Sequence, residues 1–192
     1  EAERLAARID QCLREHPGRG VNLVALSAGT GIATWALESL PSGRRVENVV
    51  FLSSSLSREY DLTAALERVR GGLYNFYSPR DPVLAVFMRS VGSVDRGTWV
   101  GEAAGLHGLT LPPRASARTR SLYRDRVRNF GYREEWARHG YFGMHADSVA
   151  EDFICHVVTP VLTETGEPGD FGLLTPEPVR DAGPDAEAGQ PP

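Results

Sequence analysis

The run VNLVALSAGTGIATWAL sets Ser27 directly between a short apolar stretch and a helical one. A tight strand-to-helix turn crowds the positions two before and two after its serine, here the small residues Ala25 and Gly29. Such a turn lifts the hydroxyl above a sheet edge as a nucleophile. It also aims the Ala28 N–H, at a helix N-terminus, toward an oxyanion forming on an attacked carbonyl. Glycine is usual at the first small position, and Ala25 replaces it with a methyl group. A serine nucleophile needs a base to take its proton and an acid to orient that base, and on such turns the acid precedes the histidine in the chain. Asp81, in SPRDP between Pro79 and Pro82, is the acid that the order selects. An ordinary Asp-Pro turn would use the same residues, and Asp95 in GSVDRG is the backup acid or a loop brace. Among five histidines, His145 in GMHADS is the base, with His139 as its alternative. His16 ends a helix, His107 lies in an apolar run, and His156 falls inside a helical pattern.

The elements that must position these groups follow from periodicity. Leu5, Ile9, Cys12 and Leu13 recur at helical spacing up to about His16, where Pro17, Gly18 and Gly20 stop the helix. Val21 to Leu26 reads as a buried strand, Thr30 to about Leu40 as a helix, and Val46 to about Ser53 as a second strand. Asp61 is placed to cap a helix running to Val69, and Leu73 to Tyr77 is a third strand. Pro82 to Arg89 is a short helix. Leu106 to Leu111 is read as the final strand, Arg114 to Arg138 as a loop plus a helix, and Val149 to Leu162 as a closing helix that Asp147 or Ser148 caps. Strands alternating with helices imply an α/β fold with a mostly parallel sheet flanked by helices. The domain spans 1–162, and the Gly-, Pro- and acid-rich tail 163–192 is expected to be disordered.

Other constellations compete for attention. Gly29-Thr30-Gly31 after a strand suits a dinucleotide turn, but Thr34 stands where a third small residue belongs and Ser53-Ser54-Ser55 where the ribose-binding acid belongs. Eight arginines between Arg114 and Arg138 alternate with Tyr123, Phe130, Tyr132 and Trp136, a pattern for acidic headgroups or a solvated helix face. His139, His145 and Asp147 match no zinc spacing. Cys12 and Cys155 both sit in helical patterns and are read as buried thiols.

Composition constrains the class. Of 192 residues, 41% are hydrophobic and 24% charged, with a formal charge of -4, which gives no argument for a nucleic-acid partner. No apolar run is long enough to span a bilayer. No secretory leader is legible, but the first residue is Glu1 and the chain is read as an excised or processed piece, so the missing leader says little of the parent protein and the compartment stays open, with the cytoplasm slightly favoured.

The succession ALSAGTG, LYNFYSPRDPVL, GSVDRG with EAAGLHG, and GYFGMHADS resembles bacterial α/β-hydrolase-like proteins over roughly Val21 to Leu162. The resemblance implies the C-terminal part of that fold, with Ser27, Asp81 and His145 at the triad positions. It names no substrate, because the fold hosts many chemistries. In two respects the chain departs from the pattern. Only one helix precedes Val21, so the strands that normally come first, one of whose loops supplies the second oxyanion donor, are lacking. About thirty residues also separate the expected last strand from His145. The expectation is a serine hydrolase, with no metal or cofactor, acting on a small-molecule or lipid-like ester or on an amide. The alternatives are a hydrolase-fold binding module without chemistry, and a nucleotide-binding domain.

Overall fold

The structure, a computed structural model, describes residues 1–91, 95, 103–163 and 174–181. Four strands form one parallel sheet in the order β1 (Leu23–Leu26), β2 (Val49–Leu52), β3 (Leu73–Tyr77) and β4 (Val127–Gly131). The register aligns Leu26 with Leu52, Leu52 with Phe76, and Phe76 with Phe130. All four strands therefore finish along one carboxyl rim, where parallel α/β sheets place ligand-handling loops. The protein is an α/β fold with helices on both faces of the sheet.

Alternation along the strands divides the core. Ala25, Val49, Phe51, Leu73 and Val127 point to the face covered by α1 (Ala2–Glu15), α2 (Gly29–Glu38), α3 (Thr63–Leu66) and α6 (Ala117–Arg126). On α1 the helical spacing is realised, with Ala6 and Ile9 buried against the sheet side. Val50, Leu52, Tyr74, Phe76 and Phe130 point to the other face, under Trp136, Tyr141, Phe153, Val157, Val158 and Val161. Aromatic rings dominate here: Phe76 stacks on Phe130 at 5.0 Å and meets Phe153 edge-on at 5.7 Å.

Several boundaries differ from expectation. The final strand is β4 at Val127–Gly131, inside the stretch read as loop plus helix, whereas Leu106 to Leu111 begins with α5 (Ala104–His107) and leaves only a single bridge at Thr110. The run LHGLTL has strand-like composition, but Gly108 takes φ +81 and breaks it. In VRNFG the flanking arginines hide the apolar Val127 and Phe130. With β4 this late, the long insertion before His145 shrinks to a connection through a 3₁₀ helix at Glu134–His139. The closing helix is α7 (Glu151–Phe153), a π-helical stretch at Ile154–Val158, and α8 (Thr159–Thr163). Pro160 lacks an amide, and the wider turn lets the Thr159 hydroxyl donate to the Ile154 carbonyl at 2.9 Å. Cys155 is exposed and Cys12 half-buried, so neither is the buried thiol expected from its helical setting.

The two sheet edges differ. The outer edge of β4 is met by the segment 174–181, where the Glu177 amide donates to the Asn129 carbonyl at 2.8 Å. The remaining parts of the tail, 164–173 and 182–192, lie outside the described residues, as does all of the GSVDRG motif except Asp95. The outer edge of β1 pairs with no strand among the described residues. No helix among them is long and apolar enough to cross a membrane.

Candidate functional site

Ser27 occupies the turn between β1 and α2, with φ at +52, a left-handed value that costs an L-residue free energy. The turn is held open by hydrogen bonds on both sides. The Ser27 amide donates to the Leu52 carbonyl at 2.9 Å, extending the β1–β2 ladder by one residue. The Ser27 carbonyl accepts from the Thr30 amide at 3.0 Å and from the Thr30 hydroxyl at 2.7 Å, and Ser54 lies 3.0 Å from that hydroxyl. Thr30 and Ser54 are fully buried, so this hydroxyl relay braces the turn from beneath. Ala25 is buried, but a side chain at Gly29 would meet nothing within 4 Å, so no neighbour among the described residues demands glycine there. Ala28 is the exposed first residue before α2, and no backbone carbonyl among the described residues takes its amide.

Asp81 follows β3 through the turn Ser78–Asp81, closed by the Asp81 amide donating to the Ser78 carbonyl at 3.2 Å. Its side chain is buried. Oδ1 accepts the amides of Val83 and Leu84, each at 3.0 Å, which caps the start of α4 (Pro82–Val91). Oδ2 lies 2.7 Å from His145 Nδ1. With Nδ1 as the donor, Nε2 is left with a lone pair, the form a general base requires.

His145 rides on a loop whose anchors alternate with exposed positions. Tyr141 is buried among Phe153 at 4.5 Å, Tyr132 at 5.4 Å and Trp136 at 6.0 Å. Burial raises the pKa of its phenol, and the nearby Asp81 charge adds to the rise. Gly143, at φ +86, passes so close to Ser78 that a Cβ would sit 2.8 Å from the Ser78 hydroxyl. Ser148 donates to the His145 carbonyl at 2.9 Å, and Asp147 accepts the Phe142 amide at 3.3 Å. Neither residue caps the closing helix, contrary to the expectation from sequence; α7 begins after Ala150 without a side-chain cap. Both side chains instead fix the loop.

Geometry thus brings Asp81 and His145 together and sets Ser27 on the same rim, two strands away. Adjacent strands lie about 4.8 Å apart, so the ends of β1 and β3 are separated by about 10 Å. Among the described residues neither the Ser27 hydroxyl nor His145 Nε2 makes a hydrogen bond, so the two are not joined to each other. His139 instead accepts from Arg138 at 3.1 Å and stacks on His156 at 5.1 Å. His107 ends α5. Asp95 accepts the Ser57 amide at 3.1 Å, bracing a loop. Thr34 is buried and donates to the Thr30 carbonyl, and the buried serines 53–55 end β2 where a ribose-binding acid would stand. Among the described residues no group of three or more His, Cys, Asp or Glu side chains gathers as metal ligands.

One supporting feature went unread in the sequence. Asn75 and Asn129 are buried and paired in register, with Asn75 Nδ2 donating to Asn129 Oδ1 at 3.1 Å and to the Ala104 carbonyl at 3.0 Å. Asn129 in turn exchanges hydrogen bonds with Leu109 through its amide and carbonyl, both at 2.9 Å. The pair pins 104–109 across the rim. Its signal was an Asn-Phe dipeptide shared by LYNFY and VRNFG.

Compared with protein-family models, with curated proteins and with solved structures, the chain finds no match. What is shown of its class is therefore the α/β architecture, a four-stranded parallel sheet flanked by helices.

Proposed function

We propose that the protein is a serine hydrolase of the α/β-hydrolase type that cleaves a carboxylic ester or an amide through an acyl-enzyme. The observation that carries this reading is the buried Asp81 carboxylate holding His145 by Nδ1 at 2.7 Å, on the rim that also bears Ser27. Ser27 Oγ attacks the carbonyl carbon while His145 Nε2 takes the hydroxyl proton. The resulting oxyanion is met by the Ala28 amide. Collapse breaks the bond to the leaving group, which departs with the proton from His145. Water then repeats the sequence on the acyl-enzyme, with His145 taking its proton and returning it to Ser27 Oγ. Asp81 keeps the imidazole in the productive tautomer throughout. In an unliganded site the serine–histidine contact is often longer than a hydrogen bond.

Labelling with a fluorophosphonate tests this. Modification of the protein that is lost in Ser27→Ala supports the reading; no modification, or modification that survives the substitution, overturns it. A binding module without chemistry is the second reading, favoured by the unjoined Ser27 hydroxyl, and it predicts a folded protein inert to the probe.

A further inference from the structure

We infer that the site takes substrates with an apolar acyl chain, and that the residues beside Asp81 and His145 select it; this rests on the hydrolase reading above. Seven large apolar residues are exposed among the described residues, and five of them lie within five positions of Asp81 or His145 along the chain: Val83 (49%), Val86 (64%), Phe142 (57%), Met144 (44%) and Val149 (47%). Single exposed apolar residues need no explanation, but a concentration of them at one place marks a binding surface. The 2.7 Å contact between Asp81 and His145 brings the two segments to one place.

The exposure is built in. Along 141–144 the chain alternates, with Tyr141 and Gly143 turned inward against the aromatic core and Ser78, and Phe142 and Met144 turned outward on the opposite side. The Phe142 amide is tied to Asp147, and the Asp147 amide to the Met144 carbonyl at 3.2 Å, so the loop holds both side chains toward solvent. No charged residue lies between Pro82 and Phe87, or between Tyr141 and Met144. Apolar side chains beside the imidazole reward removal of methylenes from water, each worth about a factor of four at full burial.

Binding of methyl octanoate and methyl acetate to Ser27→Ala, followed by calorimetry, tests the inference separately from catalysis. The expected result is octanoate binding at least about tenfold tighter, with the preference abolished in Ser27→Ala carrying Phe142→Ser and Met144→Ser and, independently, reduced by Val83→Ser. Equal affinity for the two esters, or a preference unchanged by both sets of substitutions, overturns it. Turnover of p-nitrophenyl octanoate by the unsubstituted protein decides the hydrolase reading on its own: chain-length-dependent binding without turnover keeps the apolar site and removes the chemistry.

Discussion

Asp81 meets His145 with one carboxylate oxygen, 2.7 Å from Nδ1, and spends the other on the amides of Val83 and Leu84. Orientation of the imidazole and the start of α4 are thereby joined in a single side chain. Asp81→Asn separates them. Its carbonyl can keep the two amides, but its NH₂ then faces Nδ1 and drives the imidazole proton to Nε2. Ester turnover is expected to fall by about three to four orders of magnitude, with stability within about 1 kcal/mol of the parent. Asp81→Ala removes the cap as well and is expected to be about 1 kcal/mol less stable than Asp81→Asn. Denaturant titration and turnover of the two variants check both statements; equal turnover by Asp81→Asn and the parent removes the orienting role.

Ser27 sits at φ +52, and its strain yields a prediction that involves no substrate. Alanine is ordinarily more stabilising than glycine, but at a left-handed position the order reverses. Ser27→Gly is therefore expected to exceed Ser27→Ala in stability by about 1 kcal/mol. Both variants lack the Ser27 hydroxyl, so the difference isolates the backbone. A glycine variant less stable than the alanine one would mean that the turn is not left-handed in solution.

How much of this was legible depends on range. The strand-to-helix turn at Ser27, the strand Leu73–Tyr77 and the Asp-Pro turn are local patterns, legible to within a residue or two. β4 escapes the apolar pattern because two of its five residues are polar: Arg128 is half-buried, and Asn129 is buried only because Asn75 and Leu109 satisfy it. A buried polar residue reads as surface until its partner is known. The anchors of His145 are likewise long-range; Ser78 and Gly143 are far apart in sequence and approach each other across the fold.

Gly105 offers a test of the rim's construction. A Cβ there would lie 2.4 Å from the Ser54 amide nitrogen and 2.5 Å from the Ser53 carbonyl carbon, both backbone atoms that cannot swing aside. The same residue donates to the Ser54 carbonyl at 2.8 Å and accepts the Ser78 amide at 2.9 Å, bridging the ends of β2 and β3. Gly105→Ala is expected to cost about 3 kcal/mol, at the upper end for overpacking, and to lower turnover through the Ser78–Asp81 turn. Chemical denaturation measures the first effect. A near-neutral substitution would contradict the close approach of α5 to the rim.

Alkaline titration probes two phenols that donate to carboxylates. Burial pushes the Tyr60 pKa up to about 12, assisted by the charge of Glu38, to which its hydroxyl donates at 3.1 Å. Burial likewise raises Tyr77 to about 12, with its hydroxyl donating to the Glu177 carboxylate at 2.8 Å. An unfolded tyrosine ionises near about 10. Between these values the folded chain holds protons that the unfolded chain has lost, so the stability each phenol contributes is complete below about pH 10 and is lost as pH rises through 12. Phenolate absorbance should show these two tyrosines ionising late, and unfolding by denaturant should become easier over the same interval. Glu177→Gln removes a negative charge beside Tyr77 and should bring its titration down toward the ordinary value, while leaving Tyr60 where it was. An ordinary titration of Tyr77 in the unsubstituted protein would mean that the segment 174–181 does not cover the β4 edge in solution.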